Sequence, residues 1–264
     1  MKLKDLLKEV LNEEEIKLAP SAFDVVGDIA IILIPEELKH KEKAIGEKLL
    51  AFKNIKTVLG KDSAVEDEFR VRKYKYLAGE NKTEASYIEY GRRYKVDITK
   101  AYFSPRLGNE RERIVKLVKP GEKVLVMFAG IGPYAIQIAR RAKPEIVYAV
   151  EINPEGCRYM EENIKLNKCG NLVKSFCGDV RIVVPKLGEK FDRIIMPLPK
   201  DAETFLDVAK EAANPGAIIH LYIFGESKED ATSKIKVPVE ILDVVVCGAY
   251  SAKTSRYCVD FRFK

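Results

Sequence analysis

The sequence predicts an α/β chain: a doubly wound, mostly parallel sheet over residues 101–264, preceded by a small α+β module over 21–100 and a helical stretch over 1–20. Three observations predict it. The run Val124-Leu125-Val126-Met127-Phe128 enters a glycine turn at Ala129-Gly130-Ile131-Gly132, as a strand buried on both faces does when it hands over to a helix. A second apolar stretch, Val147 to Val150, ends in a carboxylate, Glu151, about twenty residues further on. From Ala101 onward, strand-length apolar runs alternate with helical patterns, whereas before it strand follows strand.

Taken in chain order, the first twenty residues read as one amphipathic helix rich in Lys and Glu, ending near Pro20. Phe23 to Ile34 reads as a hairpin turning at Gly27-Asp28, and Pro35 opens a helix to about Phe52. Strands are expected around Thr57 to Leu59, Phe69 to Leu77, Ala85 to Tyr90 and Arg93 to Asp97. In the second part a helix from Asn109 to Val118 leads to a turn at Pro120-Gly121 and then to the glycine unit. Ser175 to Val180 reads as a short strand ending in an exposed acid, and Phe191 to Met196 as an apolar strand stopped by Pro197-Leu198-Pro199-Lys200. A helix over Ala202 to Ala213 precedes the buried strand Ala217 to Tyr222. Ile241 to Val246 and Arg256 to Phe263 then close the sheet as an antiparallel pair.

The glycine turn and Glu151 point to a nucleoside cofactor. Glycines let the backbone approach a ligand, and a carboxylate at the second strand end is placed to accept hydrogen bonds from a ribose diol. Pro133 and Tyr134 follow Gly130-x-Gly132, so the third glycine of a dinucleotide fingerprint is missing, and no Gly-Lys-Ser/Thr closes any turn. S-adenosylmethionine, with a ribose and adenine but no pyrophosphate, fits better than NAD. Asp179 is placed for the adenine amino group, and Pro197 to Pro199 for a rigid wall beside the reacting atoms. Each segment alone is equally compatible with an ordinary strand-to-helix turn.

Composition bounds the rest. No run of 18 apolar residues and no signal peptide are found, so a soluble, cytoplasmic protein with no membrane association is expected. Cys157, Cys169, Cys177, Cys247 and Cys258, with His40 and His220, show no C-x-x-C and no paired-histidine spacing. Reduced, packed cysteines are therefore expected, with no metal site and no disulfide framework. Charged residues make up 33%, and Gln137 is the only glutamine, a balance typical of heat-adapted proteins. The net charge of +6 is local: residues 69–116 carry 13 basic against 6 acidic side chains, while the remaining 216 carry 33 against 34. Here Arg70, Arg72, Lys73, Lys75, Arg92, Arg93 and Lys95 alternate with Tyr74, Tyr76, Tyr87, Tyr90 and Tyr94. Cations that neutralise phosphate and rings that stack on unpaired bases suit a folded RNA with a loop; a solvated sheet face over packed tyrosines gives the same pattern.

Together the segments Phe23 to Asp28, Tyr102-Phe103-Ser104-Pro105-Arg106-Leu107, Met127 to Pro133, Glu151-Ile152-Asn153-Pro154, Gly178-Asp179-Val180-Arg181 and Pro197 to Lys200 carry a family resemblance. The chain resembles the archaeal and eukaryotic class I methyltransferases that modify the guanosine at position 37 of tRNA, beside the anticodon. The similarity runs from about residue 20 to the C-terminus. A wybutosine-pathway relative transfers an aminocarboxypropyl group from the same cofactor, but it more typically has Gly-Tyr-Phe where this chain has Gly132-Pro133-Tyr134, which favours methyl transfer.

The resemblance implies a Rossmann-like methyltransferase domain that uses S-adenosylmethionine and a small module that grips the tRNA anticodon loop, with no obligate protein partner. It implies cofactor contacts from Phe103, Met127, Phe128, Ala129, Gly130, Gly132, Glu151, Ile152, Asn153, Gly178, Asp179, Val180, Pro197, Leu198 and Pro199, with Arg106 and Pro197 at the chemistry. Arg106 is suited to hydrogen-bond guanine O6 while nitrogen-1 loses its proton; its structural alternative is an ion pair with Glu110 one turn away. Three departures stand out. A further N-terminal domain common in the family is expected to be missing or reduced to the first twenty residues. Val126 replaces a usual acid, and Pro197 replaces an asparagine that can orient the base. A proline wall also suits a bulkier tricyclic base, the wyosine intermediate methylated at carbon-7.

Overall fold

The computed structural model describes residues 2–62, 71–251 and 253–264. Phe69 and Arg70, part of an expected strand and of the basic run, lie outside the described residues. Two compact units divide between Pro105 and Arg106.

The first unit opens with α1 (Leu3–Leu7) and α2 (Glu13–Leu18). This corrects the single helix expected over 1–20. Asn12 caps α2 with its side chain on the Glu15 amide, 2.9 Å, while the Glu15 carboxylate accepts from the Asn12 amide, 2.9 Å. That reciprocal capping box starts a new helix in mid-pattern and outweighs the apolar periodicity. Hairpin strands β1 (Asp24–Val26) and β2 (Ile29–Ile32) follow, then a 3-10 turn and α3 (Glu42–Leu49), β3 (Thr57–Lys61) and β4 (Tyr74–Gly79). These make a four-stranded sheet ordered β1-β2-β3-β4, with β2 and β3 parallel. Leu3, Leu7 and Leu11 join Ile32, Ile45, Leu49, Val58 and Leu77 in one core, so the first residues belong to this unit and are not set apart from it. A separate hairpin pairs β5 (Glu84–Glu89) with β6 (Arg92–Asp97). At the β1–β2 turn Gly27 has φ 61°, and an added Cβ would lie 2.2 Å from the Ser86 carbonyl oxygen, so only glycine fits there.

The second unit contains α4 (Gly108–Leu117), β7 (Lys123–Met127), α5 (Pro133–Arg141), β8 (Ile146–Glu151), α6 (Pro154–Leu166) and β9 (Val173–Cys177). It continues through α7 (Val180–Lys186), β10 (Phe191–Met196), α8 (Leu206–Ala212), β11 (Ala213–Gly225), α9 (Lys228–Ser233), β12 (Val239–Ala249) and β13 (Ser255–Phe263). Its seven strands are ordered β12-β13-β11-β10-β7-β8-β9. Strands β7 to β11 are mutually parallel, and β13 runs antiparallel between β11 and β12. Val124, Leu125 and Val126 are fully buried, which is why β7 reads as an uninterrupted apolar run instead of an alternating one. The chain leaves β7 toward β8 on one side and later returns to β10 on the other. The carboxyl end of β7 is therefore a topological switch point, where open α/β sheets bind ligands.

Two further expectations are corrected. Val180 does not extend β9: Asp179 caps α7, whose first residue is Val180, because the acid's side chain accepts from the Arg181 amide at 2.8 Å. Cys157 and Cys177 are not reduced; they form a disulfide with Cα atoms 5.7 Å apart, and Cys169, Cys247 and Cys258 take no part in it. Their spacing of 20 residues carries no motif, and only the packing of α6 on β9 brings them together.

On the exposed edge strand β12, two register shifts against β13 fall between Ile241 and Asp243 and between Val246 and Gly248. Among the described residues no helix is long and apolar enough to cross a membrane.

Candidate cofactor site and its buried polar support

The site begins where β7 ends. Phe128 (φ 58°), Gly130 (φ 58°) and Gly132 (φ 84°) turn the backbone through the left-handed region, and α5 starts at Pro133. A Cβ on Gly132 would lie 2.9 Å from Met160 Cγ, so the turn is pressed against α6. The Gly132 amide donates to the Ala129 carbonyl at 3.0 Å, and Pro133 has no N–H to give. The start of α5 thus offers fewer donors to a phosphate than a dinucleotide-binding helix does, in keeping with a nucleoside that carries no pyrophosphate.

Glu151, the last residue of β8, is buried. Its Oε2 accepts from the Gly130 amide at 2.6 Å and its Oε1 from the Asn153 amide at 2.9 Å. These two bonds to backbone amides fix the orientation of the carboxylate at the strand end. Asn153 caps α6 through its side chain on the Glu155 amide, 3.0 Å. Gly178, directly after β9, donates its amide to the Glu151 carbonyl at 2.8 Å. Pro197, Leu198 and Pro199 follow β10, with Leu198 half-buried and its amide on the Met196 carbonyl at 2.9 Å. The same strand ends carry this buried carboxylate and half-buried Phe128, Ile152 and Leu198, a combination of a polar acceptor with apolar side chains that suits a nucleoside.

The expected residues Met127, Phe128, Ala129, Gly130, Gly132, Glu151, Ile152, Asn153, Gly178, Asp179, Val180, Pro197, Leu198 and Pro199 thus gather at the carboxyl ends of four adjacent strands, β9, β8, β7 and β10. Phe103 belongs to the first unit, its ring 5.1 Å edge-on from Tyr87 and 6.3 Å from Tyr94. Arg106 is exposed in a 3-10 turn, Pro105–Leu107, just before α4.

A buried polar chain, not predicted from the sequence, links α4 and α5 to the strands of this unit. Tyr134 donates to the Tyr222 hydroxyl at 3.0 Å, and Tyr222 to Glu110 Oε1 at 2.6 Å. Arg113 bridges Glu110, at 2.8 and 2.9 Å, and Asp260, at 2.6 Å. Asp260 accepts from His220 Nδ1 at 2.6 Å, and Arg193 donates to His220 Nε2 at 2.7 Å while holding Glu122 at 2.7 and 3.0 Å. With Nε2 accepting, His220 is the neutral Nδ1–H tautomer; burial lowers its pKa, against the pull of Asp260. Burial opposes the charge on Asp260, but bonds from His220 and Arg113 hold its pKa below the usual carboxylate range. His220, Cys258 and Asp260 offer atoms within 4.8 Å of one another, yet Arg193 and Arg113 already engage this group, and two fixed cations oppose a third. The available signal was a polar residue inside an apolar strand run: Arg193, His220 and Asp260 each interrupt one.

In the first unit the tyrosines of the basic run divide. Tyr94 is buried and Tyr87 half-buried, whereas Tyr76 and Tyr90 are exposed. Lys75 pairs with Glu42, Lys61 with Asp24 and Lys82 with Asp28, so part of the positive charge is answered within the unit.

Comparison with known proteins places the chain. The TRM5/TYW2 methyltransferase domain matches residues 85–246, and the TYW2 N-terminal domain matches residues 3–83. The chain belongs to the TRM5/TYW2 family. It is 43% identical to the tRNA (guanine(37)-N(1))-methyltransferase Trm5b of Pyrococcus abyssi over 97% of this chain and 79% of that protein. It is 34% identical to the tRNA 4-demethylwyosine(37)-methyltransferase Taw21 of Saccharolobus solfataricus, over 96% of this chain and 94% of that protein. A structure of Trm5 from Methanocaldococcus jannaschii in complex with adenosine superposes with a TM-score of 0.86 at 34% identity, covering 99% of this chain and 78% of that one. For this TRM5/TYW2 member the α/β sheet and the methyltransferase class read from the sequence stand.

Proposed function

We propose that the chain transfers a methyl group from S-adenosylmethionine to the purine at position 37 of tRNA, with guanosine nitrogen-1 as the principal acceptor and carbon-7 of the tricyclic wyosine intermediate as a second. The observation that carries this reading is the Glu151 carboxylate, oriented by two backbone amides at the switch point of a TRM5/TYW2 sheet. The names of the Pyrococcus and Saccharolobus relatives support the two acceptors.

In this reading Glu151 accepts from the ribose hydroxyls, and the turn at Gly130 and Gly132 lets the backbone approach the nucleoside. Asp179, whose carboxylate already caps α7, serves binding at the adenine end better than proton abstraction. The bound cofactor supplies a methyl group on a sulfonium, already activated for transfer. What remains for the chain is alignment, exclusion of water and management of the acceptor's proton. Arg106 stabilises the charge that builds on O6 as nitrogen-1 is deprotonated. Glu110 is no simple competitor for it, since its oxygens accept from Arg113 and Tyr222. Pro197 offers the base a flat apolar contact with no side-chain hydrogen bond, which favours acceptance of the wider tricyclic ring. The first unit, with exposed Tyr76 and Tyr90 beside its basic residues, is the part we assign to the anticodon arm.

The test is mass spectrometry of nucleosides from tRNA incubated with the chain and S-adenosylmethionine, using unmodified and tricyclic position-37 substrates. A single added methyl on guanosine supports the reading; an added aminocarboxypropyl group, or no product from either tRNA, overturns it.

A further inference from the structure

We infer that the Cys157–Cys177 disulfide is a positioning element of the cofactor site, holding the Glu151 carboxylate in register with the Gly178-Asp179 turn so that the oxidised protein binds S-adenosylmethionine more tightly than the reduced one. The inference rests on the methyltransferase reading above.

Its basis is where the two sulfurs sit. Cys157 lies in the first turn of α6, four residues after the cap Asn153. Cys177 is the last residue of β9 and the register partner of Glu151 itself. The next amide, that of Gly178, donates to the Glu151 carbonyl at 2.8 Å. From the other side α6 presses on the same acid: a Cβ on Gly156 would lie 3.0 Å from Glu151 Cγ. The cross-link therefore joins the two elements that flank Glu151.

The link matters most at β9. This strand ends the sheet and pairs with β8 alone, so its carboxyl end has no second strand to restrain it. Helix α6, in contrast, is anchored independently by the Asn153 cap and by buried Tyr159, Met160 and Ile164. Losing the disulfide should thus leave the fold standing and loosen the Gly178-Asp179 turn relative to Glu151. Preorganisation of exactly those two binding groups is what cofactor affinity responds to.

Cys177 is exposed, so a dithiol can reach it. Dithiothreitol attacks one sulfur, the S–S bond breaks, the two cysteines gain two electrons and two protons, and the reagent closes to its cyclic disulfide. Disulfides of this kind persist inside cells of heat-adapted archaea, which agrees with the charged, glutamine-poor composition.

The experiment is calorimetric titration of S-adenosylmethionine into the full chain in three forms: oxidised, reduced by dithiothreitol, and the Cys157→Ser/Cys177→Ser double variant. Alkylation in denaturant should count three thiols in the oxidised form and five in the reduced one. We expect about tenfold weaker cofactor binding in the reduced and variant forms, with tRNA affinity and kcat at saturating cofactor within about twofold, and recovery on reoxidation. Equal cofactor affinity in oxidised and reduced protein overturns the inference while leaving the methyltransferase reading intact. Parallel loss of tRNA affinity and kcat overturns it as well, because that marks a general structural role. Absence of cofactor binding in every form removes the methyltransferase reading and the inference with it.

Discussion

Glu151 shows how far a single side chain can be read. A strand, a glycine turn and an acid at the next strand end were visible in order, and the acid's position follows from that order alone. What the sequence could not tell is that the same carboxylate also ties down Gly130 and Asn153, since those bonds depend on backbone geometry. Glu151→Ala should therefore strip an acceptor from the ribose and orphan two amides, weakening S-adenosylmethionine binding by about 1.5–3 kcal/mol in a titration. Arg106→Ala should lower kcat by about a hundredfold to a thousandfold with cofactor affinity unchanged; equal losses in both would assign the residue to structure. For Pro197→Asn, competition between guanosine and tricyclic tRNA should shift toward guanosine, and an unaltered ratio would remove this position from substrate choice. Val180 shows the limit of local reading: the same residues suit a strand end or a helix start, and the Asp179 cap decides between them.

Between elements, the chain from Tyr134 to Glu122 ties α4, which follows Arg106, to α5, which follows the glycine turn, and both to β10, β11 and β13. Periodicity located those elements because burial of apolar faces dictates it. It said nothing of the polar chain, whose members are far apart in sequence. His220 is neutral in the fold with its pKa lowered from 6.5, mainly by burial. The unfolded chain binds that proton more readily, so the contribution of neutral His220 is whole above about pH 6.5 and declines as pH falls below it. Asp260, also lowered, loses its contribution only at more acidic pH. Thermal unfolding followed from pH 7 to 5 should show a falling Tm, and His220→Gln should flatten that slope; an identical slope in the variant would show that other groups set it. Asp260→Ala, which leaves the His220 Nδ1–H without its acceptor and Arg113 with Glu110 alone, should cost about 3–5 kcal/mol in denaturant unfolding.

For the molecule as a whole, alternation of strand and helix after Ala101 and strand-after-strand before it were enough to separate an α/β sheet from an α+β module. The helix break at Asn12 and the Cys157–Cys177 bond were not legible in the same way. The first needs the capping geometry, and the second needs α6 laid against β9. Closing a loop of this length removes disorder from the unfolded chain worth about 3 kcal/mol, so reductant should lower the Tm by several degrees, and a Tm indifferent to reductant would argue against the bond. The shifts in β12 have a last consequence. An edge strand carrying exposed Ile241, Leu242 and Val246 is a template on which a neighbouring molecule could lay its own backbone. Two bulges break that template into short, twisted pieces, so a concentrated solution of this protein should stay clear on warming, and straightening the strand by deleting Leu242 should turn it cloudy.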